Sequence, residues 1–65
     1  MIVQIYSVDE KAEDLSEIIE VQTAADAEKL VFMIKEYGYE DDKGEHYRFG
    51  VAKVIKQGVV VYVER

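Results

Sequence analysis

The chain has 65 residues and no cysteine, so disulfide bonds and thiolate metal sites are excluded. Fourteen acidic and eight basic residues give a formal net charge of -6, which argues against binding of bare nucleic acid through its phosphates. A chain of this length forms one small domain, residues 1–65, which buries only about 60% of its unfolded surface and often needs a partner for stability.

The charge is unevenly distributed along the chain. Residues 1–45 hold 13 acidic and 4 basic side chains, whereas residues 46–65 hold 1 acidic and 4 basic side chains. No apolar run approaches the length of a membrane span, and the N-terminus lacks a basic segment followed by an apolar one. These features predict a soluble, cytoplasmic protein that does not act at a membrane.

Residues 1–8 form the first predicted strand. They are rich in β-branched and aromatic residues, and the pair Val3 and Ile5 alternates with the pair Gln4 and Tyr6. This period of two is typical of a strand with one buried face.

The segment after a charged turn at residues 9–14 fits two structures. A helix over residues 10–20 would place its apolar residues on one face, whereas residues 16–22 alternate as in a strand. The strand is favoured because Thr23 is a good cap for the next helix, and a helix directly before it would lack a Gly or Pro to end it. The sequence therefore predicts a hairpin of two strands, with the helix as the alternative.

The clearest helix runs from Thr23 to Gly38. Thr23 is a favourable N-cap, Asp26 lies in the first turn, and a glycine commonly follows the last residue of a helix. Apolar residues at spacings of three and four predict a stripe that faces the core, formed by Ala27, Leu30, Val31, Ile34 and Tyr37.

Two apolar residues lie outside this stripe. Phe32 is roughly 200° around the helix from Leu30, and Met33 flanks the stripe. A large aromatic on the outer side of a helix is either a tolerated surface residue or part of a contact surface. Phe32 and Met33 are therefore candidates for an interaction surface.

The last third of the chain predicts a turn and a second hairpin. Residues 39–45 form an acidic turn around Gly44, without the alternating ligands of a calcium loop. Residues 46–55 and 59–64 are strands, joined by Gln57-Gly58 as a two-residue loop. A regular pairing places Ala52, Val54, Val61 and Val63 on one face and Tyr47, Phe49, Val51, Lys53, Ile55, Val60 and Tyr62 on the other.

The predicted fold is α+β in the order β-β-α-β-β. The two hairpins form one antiparallel sheet, and the helix packs on one of its faces. The expected core comprises Val3, Ile5, Ile19, Val21, Ala27, Leu30, Ile34, Val54, Val61 and Val63.

No stretch carries a catalytic, metal-binding or cofactor-binding pattern, so the sequence predicts no enzyme, no cofactor and no metal site. Surplus apolar surface on the second hairpin predicts a small acidic protein-interaction module. It would be a homodimer that binds or inhibits an unidentified protein, in one form as an acidic mimic of nucleic acid. The alternative is single-stranded nucleic-acid binding by the aromatic and basic strand face. The candidate interaction residues are Phe32, Met33, Tyr47, Phe49, Lys53 and Tyr62.

Overall fold

The computed structural model describes residues 1–9 and 12–65 of the chain. These residues form β1 (Ile2–Val8), β2 (Glu13–Glu20), α1 (Ala24–Tyr37), β3 (Tyr39–Glu40), β4 (His46–Ile55) and β5 (Gly58–Glu64). The strands make one sheet in the order β2-β1-β5-β4-β3, and α1 packs against β4 and β5. The α+β class is confirmed. β2 shows that residues 13–20 form a strand and not the alternative helix, and this strand begins and ends earlier than the predicted strand over residues 16–22. Residues 10 and 11 of the predicted charged turn lie outside the described residues.

The sheet is mixed, so the prediction of a purely antiparallel sheet is wrong at its centre. β1 pairs antiparallel with β2 but parallel with β5, with Val3 beside Val59 and Tyr6 beside Tyr62. The unbroken apolar run of β5 explains this position, because a strand that is apolar on both sides is typical of the middle of a sheet. A fifth strand, β3, adds two residues at the far edge.

The helix begins and ends where its capping residues predict. The Thr23 hydroxyl accepts a hydrogen bond from the backbone N–H of Asp26 at 3.1 Å. Gly38 has a φ of 81° and its N–H donates to the carbonyl of Ile34 at 2.8 Å. Tyr37 does not belong to the buried stripe, because it is the last helical residue and its side chain is 76% exposed.

The core lies between α1 and the face of the sheet that we call the inner face. Ile5 of β1 and Ile34 of α1 are buried together. The prediction of Val54 as a core residue is wrong, since its side chain is 87% exposed. Val54 pairs with Val59 near the loop end of the β4–β5 hairpin, and α1 does not cover that end. The buried core cluster is Val3, Ile5, Ala27, Ile34, Val61 and Val63, with Ile19, Val21 and Leu30 partly buried against it.

The β4–β5 hairpin departs from regular pairing in two ways. Ile55 pairs with Gly58, so the connecting loop is Lys56-Gln57 rather than Gln57-Gly58. This shift by one loop position moves the register by two residues and leaves the faces unchanged near the loop, because side chains alternate with a period of two.

A bulge at Gly50 changes the faces further along β4. Phe49 pairs with Val63, but the next paired residue is Val51, opposite Tyr62. The extra residue moves Tyr47 and Phe49 to the inner face, where both pack against the core. The prediction that they share a face with Val51 is therefore wrong. Glycine suits the bulge, because a Cβ there would lie 2.9 Å from the carbonyl oxygen of Tyr62.

The sheet curls around its inner face until its two edges approach each other. The Tyr39 hydroxyl of β3 donates to Glu17 Oε1 at 3.0 Å and lies 3.2 Å from Ser16 Oγ, and both partners belong to β2 at the opposite edge. Burial raises the pKa of Tyr39 above its ordinary value, and the neighbouring Glu17 carboxylate adds to this effect. The Tyr39 phenol therefore remains protonated at neutral pH and able to donate.

The acidic turn between β3 and β4 is organised by one carboxylate. Asp41 accepts hydrogen bonds from the backbone N–H groups of Lys43 and Glu45, both at 2.9 Å, and from the Tyr47 hydroxyl at 3.1 Å. Partial desolvation raises the pKa of Asp41, but these hydrogen bonds outweigh it and hold the pKa below its ordinary value. Gly44 takes the predicted positive φ, at 82°. Asp41 thus has a structural role in the turn.

Candidate interaction surface

The face of the sheet turned away from α1, which we call the outer face, is the main candidate surface. The strand registers place on it one row of side chains from each of the four long strands. Among the described residues, no helix packs on this face, since α1 lies against the buried cluster of the inner face. The outer face comprises Glu13, Leu15, Ile18 and Glu20 of β2, Ile2, Gln4, Tyr6 and Val8 of β1, Val60, Tyr62 and Glu64 of β5, and Arg48, Val51, Lys53 and Ile55 of β4.

The centre of the outer face is aromatic and aliphatic. Tyr6 and Tyr62 lie side by side on the central strands, with ring centroids 5.7 Å apart. Leu15 and Val51 flank them on β2 and β4, and each is 47% exposed. Ile18 in the neighbouring row is 55% exposed. A continuous apolar row therefore crosses all four long strands, with its two ends exposed and its two tyrosines partly buried.

One cation lies within this apolar region. Lys53 Nζ is 5.3 Å from the centroid of the Tyr62 ring, within the range of a cation–π contact. Lys53 is exposed and pairs in register with Val60, which is nearly fully buried. The lysine stem can pack on the apolar surface while its ammonium group stays in water.

The acidic and basic residues, which are unevenly distributed along the sequence, also lie on different strands of the sheet. β2 carries four acidic residues and no basic one, whereas β4 carries two basic residues, Arg48 and Lys53, and no acidic one. On the outer face, Glu13 and Glu20 lie at the two ends of the β2 row, and Arg48 lies at one end of the β4 row. The apolar centre is thus bordered by acids on the β2 side, and the β4 side carries two bases, with Glu64 of β5 beside Arg48.

Both edges of the sheet are poorly suited to pairing with a further strand. β2 contains a bulge at Ser16, where the register shifts, and β4 contains the bulge at Gly50. β3 covers only His46 and Tyr47 of β4. Bulges and charged side chains on exposed strands are the usual means by which proteins prevent edge-to-edge association. The edges of the sheet are therefore poor candidates for association, and the outer face remains the main candidate surface.

The six residues predicted to form an interaction surface fall into three places. Lys53 and Tyr62 are together on the outer face. Tyr47 and Phe49 pack against the core. Phe32, which is 57% exposed, and Met33 are on α1, on the other side of the sheet.

The outer-face residues that the sequence analysis did not identify include Tyr6, Leu15 and Ile18. The alternation in residues 1–8 does place Tyr6 opposite the buried Val3 and Ile5. Nothing local in the sequence indicates that Tyr6 lies beside Tyr62, because that contact depends on the parallel pairing of β1 with β5.

An open groove of about 580 Å³ lies between the end of α1 and β4. Its rim carries Lys35, Arg48 and Arg65, with Tyr47 and Phe49 among its lining residues. Arg65 forms an ion pair with Glu45, and His46 Nε2 lies 3.1 Å from Glu40 Oε2. Arg65 and His46 therefore each have an acidic neighbour, and the groove is shallow and solvated.

The described residues contain no group of three or more His, Asp or Glu side chains that could hold a metal ion. In the same part of the chain, no helix is long and apolar enough to cross a membrane. No protein-family model, curated protein or solved structure matches the chain. A function for this protein therefore has to be proposed from the geometry of its surfaces.

Proposed function

We propose that the protein is a small acidic protein-interaction module without catalytic activity, which forms a homodimer through its outer face and binds or inhibits another protein in the cytoplasm. The supporting observation is the uncovered apolar centre around Tyr6 and Tyr62. Monomers seldom expose contiguous apolar patches beyond a few hundred Å². Tyrosine is also enriched at the cores of interfaces.

The area of the outer face gives the size class of the expected dimer interface. Four strands about 4.8 Å apart and about seven residues long give a flat area of roughly 440 Å² per copy, and roughly 900 Å² for two copies. This is below the roughly 1,200–2,000 Å² that stable, specific interfaces bury in total, and it falls in the size class of weak, transient contacts. Because the sheet curls around α1, the central strands β1 and β5 would meet first. A reversible dimer with a dissociation constant in the micromolar range is expected.

Replacement of Tyr62 by glutamate is expected to abolish self-association. Tyr62→Glu puts a charge at the centre of the apolar row, where a dimer would have to desolvate it. Light scattering over a series of concentrations should show a dimer for the parent and a monomer for this variant. Phe32→Glu is the matched control, because it adds the same charge on α1 and leaves the outer face intact.

The same measurement can overturn the proposal. A parent protein that remains a clean monomer at high micromolar concentration, with Tyr62→Glu harmless to solubility and melting temperature, rules out the homodimer. A pull-down from a cell extract, repeated at high salt, separates an apolar contact from the acidic-mimic form of the proposal. Binding of a basic partner by the acidic β2 strand would weaken steeply as salt rises, whereas an apolar contact would persist.

A second candidate function is binding of single-stranded nucleic acid on the outer face. It is favoured by the adjacent rings of Tyr6 and Tyr62 and by the nearby Lys53, because bases stack on exposed aromatics and basic groups contact phosphates. It is opposed by Glu13 and Glu20 on the same face and by the net charge of -6.

Binding of this kind should be detectable as a gel shift with single-stranded oligonucleotides at low salt. The shift should disappear in Tyr62→Ala, which removes one stacking ring. Absence of a shift with the parent protein at tens of micromolar would exclude this function, because non-specific binding alone commonly reaches that range at about physiological salt.

A further inference from the structure

The strand registers fix which outer-face residues lie at the same level along the strands. Glu13 of β2 is level with Val8 of β1, Glu64 of β5 and Arg48 of β4. One row further, Leu15 is level with Tyr6, Tyr62 and Val51. Glu13 and Arg48 thus lie at equal height on opposite sides of the apolar centre.

Two orientations of a two-fold axis can bring two outer faces together with their strands aligned. An axis across the strands places β2 over β2 of the other copy with the direction reversed. Glu13 then approaches Glu20 of the other copy, and the basic β4 rows also lie over each other. Like charges placed against each other disfavour this arrangement.

An axis along the strands has the opposite consequence. It places the acidic β2 row of each copy over the basic β4 row of the other and keeps every residue at its own level. Tyr6 then lies over Tyr62 of the other copy, and Leu15 is level with Val51 of the other copy across a gap that widens toward β2 and β4, because the sheet curls away from the interface. Two sheets packed with nearly aligned strands are a common arrangement in proteins.

We infer that the homodimer has its two-fold axis along β1 and β5, so that Arg48 of each copy pairs with Glu13 of the other. This inference rests on the proposed self-association and adds its geometry and the charges that select it. The partner of the outer face is a second copy of this chain, because the face is complementary in charge to itself only in this orientation. The two charge pairs lie at the border of the interface, where they set orientation more than affinity.

The first test is a charge reversal measured by sedimentation equilibrium at low salt. Arg48→Glu alone and Glu13→Arg alone should each weaken the dimer by about tenfold, because each creates two like-charge contacts. The variant that carries both changes should regain most of the lost affinity. Lys56→Glu is the matched control, because it makes the same charge change as Arg48→Glu in the β4–β5 loop.

The second test uses the absence of cysteine from the parent chain. A mixture of Leu15→Cys and Val51→Cys proteins should be linked into a heterodimer by a bismaleimide whose spacer exceeds about 10 Å, the usual distance between packed sheets, whereas each protein alone should cross-link poorly. Each protein carries one cysteine, so every cross-link joins two chains.

The outcomes separate this geometry from the self-association on which it rests. A parent protein that is monomeric at high micromolar concentration overturns both. A parent protein that dimerises, with reversals no worse than Lys56→Glu and with no cross-link in the mixture, overturns the orientation alone. Recovery of affinity in the double variant together with the mixed cross-link supports the orientation.

Discussion

Gly58→Ala is expected to prevent stable folding. A Cβ atom at residue 58 would lie 1.9 Å from the carbonyl oxygen of Ile2, and Gly58 is buried at the start of the central strand β5. Relief would require β1 to move away from β5, which would also break the hydrogen bond from the Ile2 N–H to the Gln57 carbonyl at 3.2 Å.

The expected cost exceeds the usual effect of overpacking, about 1–3 kcal/mol, because the clash is with backbone and not with a flexible side chain. A small domain has only about 5 kcal/mol of stability in total. The variant should therefore lose its cooperative thermal transition by circular dichroism and the dispersion of its amide resonances.

Gly44→Ala is the control for this prediction. Gly44 also has no side chain, but the nearest atom to a Cβ there is Glu40 Oε1 at 4.0 Å. Its only penalty is the positive φ of 82°, which costs a non-glycine residue about 1–2 kcal/mol. Gly44→Ala should fold and melt at a somewhat lower temperature. If Gly58→Ala melts no lower than Gly44→Ala, then β1 does not lie against β5 in this register.

Gly58 also shows which features of the fold cannot be predicted from neighbouring residues in the sequence. The sequence predicts Gly58 as a loop residue, which is wrong by one position, because the loop is Lys56-Gln57 and Gly58 is the first residue of β5. Its requirement for glycine comes from Ile2, which is 56 residues away in the chain and is brought close only by the parallel pairing. The helix was predicted to within a residue because Thr23 and Gly38 act on their own neighbours.

The candidate surface was predicted only where it depends on residues that are close together in the sequence. Lys53 and Tyr62 were placed on one face correctly, since only the short hairpin loop separates their strands. Phe49 was misplaced because Gly50 inserts one residue, and a glycine within a strand indicates a possible bulge without fixing its register. The alternation in β1 predicts which face of the strand carries Tyr6, but not which residue lies beside it. Its neighbour Tyr62 belongs to a strand at the other end of the chain.

Ile5→Ala is expected to lower the free energy of unfolding by about 2–5 kcal/mol, as is usual when a fully buried aliphatic side chain is truncated. Ile5 is 0% exposed and lies in the same buried cluster as Val61 and Ile34, so its removal leaves a cavity between the sheet and α1. Urea denaturation followed by circular dichroism measures the loss. The protein should be dilute enough to be monomeric, because dimerisation adds concentration-dependent stability.

Val54→Ala is the matched control, and it also tests the corrected limit of the core. Both residues are on the inner face, but Val54 lies beyond the end of α1 with its side chain in solvent. Its truncation should change the free energy of unfolding by less than about 0.5 kcal/mol, as for other surface sites. Comparable losses for the two variants would mean that α1 extends its cover to the hairpin end, as the regular pattern of β4 predicts. A loss confined to Ile5→Ala would place the core at β1 and β5, beneath the outer-face tyrosines, where the same two strands form both the core and the proposed interface.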